Sequence, residues 1–190
     1  MARFSMALPL ALTAALLGAC HPSRATSGVV VPTPAAADAS IAFSLPQLRA
    51  APLLIASAVE PAAQPTLTFA IMFASWCSHC HVQLDKLNRL RLAYPSVNFI
   101  GLSYAPFEAF NSNGDLARLR DYVAANAPWL PIYDLPEALY QSVGQPRKIP
   151  TLWAFNADGT LRATFDRAVR NAPEFAELEA LVAGAQPEIQ

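Results

Sequence analysis

Two apolar runs and an amphipathic segment between them dominate the middle of the chain. Residues 67–74 are apolar, rich in Phe and Ile, and too few to span a membrane, so they predict a buried strand. In residues 82–91, apolar side chains recur at helical spacing with polar ones between them, which predicts a helix. Residues 96–103 form a second apolar run typical of a core strand. Strand, helix and strand in this order indicate a βαβ unit with two parallel strands.

The flanking segments predict a mixed set of shorter elements. Asp158-Gly159 separates two apolar runs and is therefore a strong signal for a β-hairpin. The other predicted elements are strands at residues 41–46 and 53–55, an aromatic loop at 104–114, a helix at 115–126 capped by Asp115, an extended piece at 129–133, a helix at 136–143 with Pro136 as its first residue, and a helix at 173–182. This order indicates an α/β layer architecture with helices on both faces of a sheet.

The first forty residues have a different pattern. A single Arg precedes an apolar stretch that ends in Leu17-Gly18-Ala19-Cys20, as in a secretory signal peptide. These last four residues resemble the lipobox of bacterial lipoproteins, which implies a signal peptide at residues 1–19 and a lipidated Cys20; an ordinary signal peptide is the alternative. His at position 21, where an inner-membrane lipoprotein would carry Asp, favours the outer membrane.

Composition then divides the rest of the chain. Residues 20–40 comprise the cysteine and a segment rich in Pro, Ala, Ser and Thr, which predicts a flexible tether, and residues 41–190 have the length of one domain. The net charge of −1, from 13 basic and 14 acidic residues, offers no basic footprint for nucleic acid. If Cys20 carries a lipid, only Cys77 and Cys80 of the three cysteines remain, so the domain is not a disulfide-stapled scaffold.

The remaining cysteines stand where the predicted central strand gives way to the predicted helix. This places Cys77 at a helix N-terminus, where free N–H groups and the helix dipole favour a thiolate. The pair therefore predicts a redox-active dithiol. Other readings stay open at this point: Cys77-Ser-His-Cys80-His81 also matches the C-x-x-C-H attachment site of c-type haem, Cys77, Cys80 and His81 offer three metal ligands, and the pair is compatible with a structural disulfide.

The sequence resembles thioredoxin-fold domains, specifically the exported thiol–disulfide oxidoreductases of the TlpA/ResA type. The resemblance covers residues 41–183 and implies a thioredoxin-like fold, in which a central mixed β-sheet is flanked by helices on both faces. It rests on Phe73-Ala-Ser-Trp-Cys-Ser-His-Cys80, Ile100-Gly-Leu-Ser103, Leu130-Pro-Ile-Tyr-Asp134, Ile149-Pro-Thr-Leu-Trp-Ala-Phe155 and Asp158-Gly159. The haem reading is disfavoured because such a site has no need of the segment at residues 149–151.

The resemblance implies roles for individual residues. Cys77, preceded by Trp76, would be the attacking thiolate and Cys80 the resolving thiol. Pro150 would be cis and lie against the dithiol, exposing the backbone of Ile149 to a substrate. His79 would stabilise the Cys77 thiolate, which favours an oxidising couple. His81 is expected at the surface.

The resemblance also implies the surroundings of the reaction. No cofactor beyond the dithiol is expected. The expected partners are protein thiols or disulfides and a membrane electron donor or acceptor, in the periplasm.

Two positions depart from the resemblance. Thioredoxin carries a buried Asp where this chain has Ile71, and ResA-like proteins carry a Glu where it has Gln83. Either carboxylate would help to move the proton of the resolving thiol, so the proton acceptor and the direction of electron flow stay open. The alternative function is a redox-inactive or copper-handling binding module.

Overall fold

The computed structural model describes residues 43–185. The predicted signal peptide, Cys20 and the whole of the predicted tether lie outside the described residues. The helices are α1 (Leu45–Arg49), α2 (Ser78–Ala93), α3 (Ala105–Glu108), α4 (Leu116–Asn126), α5 (Glu137–Ser142) and α6 (Phe175–Ala183). The strands are β1 (Leu53–Ile55), β2 (Leu67–Met72), β3 (Val97–Ser103), β4 (Ile132–Asp134), β5 (Thr151–Asn156) and β6 (Leu161–Asp166). Over residues 43–185, each helix is too short or too polar to cross a membrane.

The strands form one six-stranded mixed sheet in the order β1-β4-β3-β2-β5-β6. The central strand β2 runs parallel to β3 and antiparallel to β5. The connection from β2 to β3 contains α2, which confirms the predicted βαβ unit. The sheet edges are β1, which is partly exposed, and β6. The carboxyl ends of β2 and β3 therefore lie side by side, at the edge of the sheet where α2 begins.

The two central strands are buried along their whole length. Every residue of β2 and every residue of β3 is buried. Because neighbouring side chains in a strand point to opposite faces, burial of every residue requires that both faces of the sheet are covered. The large core side chains include Trp153, Phe69 and Phe155, all fully buried. A mixed sheet covered on both faces agrees with the predicted α/β architecture.

The hairpin predicted around Asp158-Gly159 is confirmed. Strands β5 and β6 pair antiparallel, and Gly159 in the connection has a φ of 83°, a left-handed conformation that glycine adopts without strain. The N–H of Asn156 donates to the carbonyl of Thr160 across the turn. The hairpin holds β5, whose first residue follows Pro150, against the central strand.

Some predicted elements were wrong. In the predicted opening strand at residues 41–46, the described part from residue 43 onward forms no strand, and α1 begins at Leu45. Ser44 and Gln47 cap this helix: the Ser44 N–H donates to Gln47 Oε1 at 2.7 Å. The predicted loop at residues 104–114 contains α3 and a 3-10 turn, Phe110–Ser112. Helix α5 begins one residue later than predicted, so Pro136 is its N-cap.

Candidate active site at the end of the central strand

The two cysteines lie where the chain leaves β2 and enters α2. They are joined as a disulfide, with their Cα atoms 5.2 Å apart. Cys77 is the N-cap of α2, and its sulfur accepts a hydrogen bond from the Cys80 N–H at 3.3 Å. Cys80 is fully buried, whereas Cys77 is 6% exposed. An approaching thiol or disulfide therefore reaches Cys77 before it reaches Cys80.

The segment around Pro150 faces Cys77 across the site. The Cys77 sulfur lies 3.9 Å from the carbonyl oxygen of Ile149, a residue 72 positions later in the chain. The Ile149–Pro150 peptide bond is cis, and both residues are buried. The Thr151 hydroxyl donates to the carbonyl of Lys148 at 2.8 Å and closes the turn that leads into β5. The structure thus brings together the two motifs that the sequence analysis singled out.

A cation also reaches this carbonyl. Arg167 follows the last residue of β6, and its Nη1 donates to the Ile149 oxygen at 2.9 Å. The Arg167 side chain is partly buried. One backbone oxygen therefore contacts both the sulfur of Cys77 and the guanidinium of Arg167.

Trp76 is fixed by the segment that follows β3. Its indole N–H donates to the carbonyl oxygens of Phe107 and Glu108, each at 3.0 Å. Its ring stacks on that of Phe110, with centroids 5.9 Å apart, and Phe110 itself is 54% exposed. Trp76 and Phe110 together place a partly open aromatic surface next to Cys77.

A buried carboxylate lies beneath Trp76. Glu108 is 3% exposed and is the one charged residue that is buried in the part of the chain that the structure describes. Its Oε2 accepts from the Ser75 N–H at 2.9 Å, and its Oε1 accepts a short hydrogen bond from the Ser75 hydroxyl. Because Ser75 stands two residues before Cys77, Glu108 fixes the backbone that carries the attackable sulfur.

The two histidines of the motif have different surroundings. His79 is exposed, as expected of a residue in the first turn of α2. His81, which was expected at the surface, is only partly exposed. Its Nε2 lies 2.7 Å from the Ser75 carbonyl oxygen, to which it donates, and its ring stacks on Tyr122 with centroids 4.4 Å apart. Burial, with a smaller effect of the nearby Asp85 carboxylate, raises the pKa of Tyr122 to about 12.

The positions that depart from the resemblance are both buried. Ile71 is fully buried in β2, and Gln83 is 1% exposed on α2, one turn after Cys80. The amide nitrogen of Gln83 finds no hydrogen-bond acceptor within residues 43–185. Over the same residues, the structure contains no group of three or more His, Cys, Asp or Glu side chains placed to hold a metal ion.

Ser75, Glu108 and Arg167 also belong to the site, and none of them was predicted from the sequence. Glu108 lies in a segment that was predicted only as an aromatic loop, and Arg167 lies just beyond the predicted hairpin. The only sequence signal for Glu108 was a charged residue among the aromatic residues of that segment. Nothing in the sequence links Arg167 to Ile149, which lies 18 residues earlier.

Comparison with known proteins supports the fold. The sequence matches no protein-family model and no curated protein sequence. A secreted disulfide oxidoreductase of Mycobacterium tuberculosis, described as homologous to DsbE of E. coli, matches with 19% identity, a TM-score of 0.53, and coverage of 78% of this chain and 99% of its own. A thiol-disulfide oxidoreductase from Bacteroides fragilis matches with 13% identity, a TM-score of 0.51, and coverage of 76% and 96%.

A thioredoxin-like protein from Aeropyrum pernix extends the comparison to a third organism. It matches with 16% identity, a TM-score of 0.53, and coverage of 64% of this chain and 79% of its own. At these identities the similarity concerns the fold. The mixed sheet and the order of elements are those of a thioredoxin-like fold, as predicted.

Proposed function

We propose that this protein is a thiol–disulfide oxidoreductase of the bacterial cell envelope, which exchanges disulfides with protein substrates through Cys77 and Cys80. One observation carries the proposal: the disulfide sits at the N-terminus of α2 with Cys77 against the Ile149–Pro150 segment. The similar structures from Mycobacterium tuberculosis and Bacteroides fragilis, described as oxidoreductases of this class, support it.

The reaction follows from the different exposure of the two sulfurs. In the reduced protein, the Cys77 thiolate attacks one sulfur of a substrate disulfide, forms a mixed disulfide and releases the other substrate sulfur as a thiolate. Cys80, as a thiolate, then attacks the Cys77 sulfur, which breaks the mixed disulfide and frees the second substrate sulfur. The protein ends with the Cys77–Cys80 disulfide, and the substrate has gained two electrons. Oxidation of a substrate dithiol runs through the same steps in reverse.

The position of Cys77 favours its role as the nucleophile. Its sulfur accepts the N–H of Cys80 and lies at the positive end of the α2 dipole, and both effects stabilise a thiolate. A substrate can reach it beside Trp76 and the Ile149–Pro150 segment, which we propose as the docking surface for the reacting peptide. We also propose that a positive charge on the exposed His79 favours the thiolate. Because Ile71 and Gln83 cannot take the proton of Cys80, we propose that water accepts it.

The proposed location rests on the N-terminal sequence. Leu17-Gly-Ala-Cys20 supports export and lipidation of Cys20, which would anchor the domain to the periplasmic side of a membrane, with the outer membrane favoured by His21. The similar protein of Mycobacterium tuberculosis is described as secreted, which also supports export. In this setting we propose protein thiols or disulfides as substrates and a membrane protein as the electron donor or acceptor.

Turnover assays in both directions test the proposed function. Reduced full chain should reduce the disulfides of insulin with dithiothreitol as the reductant, and oxidised full chain should form disulfides in reduced ribonuclease. Cys77→Ala should abolish both activities, because no nucleophile remains on the exposed side of the pair. Cys20→Ser is the matched control, since it removes a cysteine outside the domain, and it should retain both activities. Wild-type chain that is inactive in both assays, or a Cys77→Ala variant that stays active, would refute the proposed function.

A further inference from the structure

Arg167 is held beside the dithiol by a hydrogen bond to the backbone. Its Nη1 lies 2.9 Å from the Ile149 carbonyl oxygen, and the same oxygen lies 3.9 Å from the sulfur of Cys77. The distance between Arg167 Nη1 and the Cys77 sulfur is therefore at most the sum of these two distances. Guanidinium groups stay protonated at all accessible pH values, so the charge beside Cys77 is permanent.

The turn that carries Arg167 is itself fixed. Asp166 ends β6, and its carboxylate accepts the N–H of Ala168 at 2.7 Å, while its carbonyl accepts the N–H groups of Val169 and Arg170. These bonds hold the residues on both sides of Arg167. The backbone on both sides of Arg167 is therefore held in place, and the guanidinium itself is bonded to the Ile149 oxygen.

The other charged groups around Cys77 have different surroundings. His79 on α2 and the side chains of Arg147 and Lys148 in the loop before β5 are exposed to water, which screens their charge. The carboxylate of Glu108, in α3, is buried and bonded to Ser75. Asp166, next to Arg167, has its carboxylate bonded to the backbone of its own turn. Arg167 is the partly buried cation whose hydrogen bond reaches the oxygen next to Cys77.

We infer that Arg167 sets the redox equilibrium of the dithiol by stabilising the Cys77 thiolate of the reduced protein. This role rests on the proposed function, in which the dithiol cycles. When a dithiol such as dithiothreitol reduces the protein, its own two sulfurs form a disulfide and its electrons break the Cys77–Cys80 bond. Cys80 keeps one proton, the other is released to water, and Cys77 carries the negative charge.

The charge of Arg167 therefore has different effects on the two redox states. In the oxidised protein the Cys77 sulfur is neutral and gains little from a nearby cation, whereas in the reduced protein it is an anion within reach of the guanidinium. Stabilisation of the reduced form makes a dithiol couple more oxidising. Arg167 consequently biases the protein toward taking electrons from substrate thiols, that is, toward forming disulfides in its substrates.

The redox equilibrium of the full chain with dithiothreitol tests this role. All variants carry Cys20→Ser, so that only the dithiol is titrated, and thiols are counted by alkylation and mass spectrometry. Arg167→Gln should reduce the equilibrium constant for reduction of the protein about three- to tenfold, as expected for loss of a partly screened charge at this separation. Tenfold corresponds to about 30 mV for a two-electron couple. The same variant should raise the pKa of Cys77, measured from thiolate absorbance at 240 nm.

Two further variants separate charge from structure. Arg167→Lys keeps the positive charge and should retain most of the wild-type equilibrium constant. Arg170→Gln is the matched control, because it removes the same charge three residues later, where the guanidinium pairs with Glu177 and lies over the ring of Phe165. It should leave the equilibrium within twofold of wild type. An Arg167→Gln value within twofold of wild type, or an equal shift in Arg170→Gln, would overturn the inference.

The outcome is independent of protein substrates. If Arg167→Gln does not fold, Arg167→Lys and wild type are compared at low and high salt instead. The equilibrium constant of both should fall as salt screens the charge, and a constant value would overturn the role of Arg167.

Because dithiothreitol is the only redox partner, an Arg167 effect in a chain that fails to turn over insulin and ribonuclease would refute the proposed function alone. Turnover without an Arg167 effect would refute this inference alone.

Discussion

The buried carboxylate of Glu108 holds the backbone that precedes Cys77. Burying a carboxylate is costly unless hydrogen bonds replace its water shell, and at Glu108 both oxygens accept from Ser75. The Glu108 carbonyl in turn accepts the indole N–H of Trp76. A Cβ atom on Gly114 would come within 2.9 Å of that carbonyl oxygen, so glycine there permits the close approach of the chain. Glu108 thereby links the segment after β3 to the turn before α2.

Glu108→Ala tests how much this link contributes to stability. The substitution leaves the N–H and hydroxyl of Ser75 buried without an acceptor, so we expect the free energy of unfolding to fall by about 2–4 kcal/mol. Glu108→Gln keeps one acceptor oxygen and should lose less. The measurement is urea denaturation of the oxidised chain, followed by circular dichroism.

Glu60→Ala is the control for this experiment, because Glu60 is an exposed acid of the same domain. It should change stability by about 0.5 kcal/mol or less, as is usual for exposed positions. Equal effects of Glu108→Ala and Glu60→Ala would contradict the structural role of the buried carboxylate.

At the scale of elements, α5 is tied to the end of β3 beside the site. The Tyr104 hydroxyl donates to Glu137 Oε2 at 2.5 Å, and the rings of Tyr104 and Tyr140 stack with centroids 3.9 Å apart. The Tyr140 hydroxyl donates to the carbonyl of Pro146, which lies in the loop that leads to Ile149. The hydrogen bond from Tyr104 lowers the pKa of Glu137, and the same bond raises the pKa of Tyr104 to about 12.

Tyr104→Phe should raise the pKa of Glu137 part of the way to its ordinary value, since the weaker hydrogen bond from Gln141 remains. A carboxyl whose pKa is lowered by folding stabilises the folded state above its unfolded pKa, and this contribution disappears as the pH falls through the folded pKa. The stability difference between wild type and variant should therefore shrink when the pH is lowered from 7 to below the pKa of Glu137.

Carbon-13 NMR titration of the Glu137 carboxyl, with denaturation at both pH values, measures these effects. Tyr94→Phe is the control, because its hydroxyl contacts a different carboxylate, that of Glu179. It should leave the Glu137 titration unchanged. An unaltered Glu137 pKa in Tyr104→Phe would show that this hydrogen bond does not link α5 to β3.

The elements that could be predicted from sequence are those specified by local residues. Asp158-Gly159 alone specifies the turn between β5 and β6, and the apolar periods of residues 67–103 specify the βαβ unit. The prediction of a strand at residues 41–46 was wrong because this stretch alternates like a strand, whereas Ser44 and Gln47 form the cap of a helix. Contacts between residues far apart in the sequence could not be predicted from local patterns. The contact of Glu108 with Ser75, for example, joins residues 33 positions apart.

The same limit applies inside the candidate site. The cysteine spacing and the Ile149–Pro150 motif could be read from sequence, because each is a local pattern. The surroundings of His81 could not, since its ring packs on Tyr122, which belongs to α4 rather than to its own helix. Nor could the contact of Arg167 with Ile149 be foreseen, because it depends on how the turn after β6 folds back toward the site.

At the scale of the whole molecule, the proposed function places this domain on a lipid anchor. Cys20→Ser should move the protein from the membrane fraction to the soluble fraction of the periplasm, because the cysteine that would carry the lipid is lost. Fractionation followed by immunoblotting measures the distribution. Cys77→Ser is the control, since it changes a cysteine of the domain, and it should stay with the membrane. Unchanged membrane association of Cys20→Ser would contradict lipid anchoring.

In the proposed reaction, Cys77 is the sulfur that attacks protein disulfides. The most direct measurement is the mixed disulfide that the reduced Cys80→Ala chain forms with a purified protein disulfide such as insulin, mapped by mass spectrometry. Without the resolving thiol, the mixed disulfide should accumulate. It should link the substrate to Cys77, and dithiothreitol should cleave it. The Cys77→Ala variant should form at least about tenfold less adduct, because its remaining domain thiol, Cys80, is buried and access limits thiol exchange. Both variants also carry Cys20→Ser, so that only the cysteines of the domain can react. Adducts that form equally in both variants would contradict the assignment of Cys77 as the nucleophile.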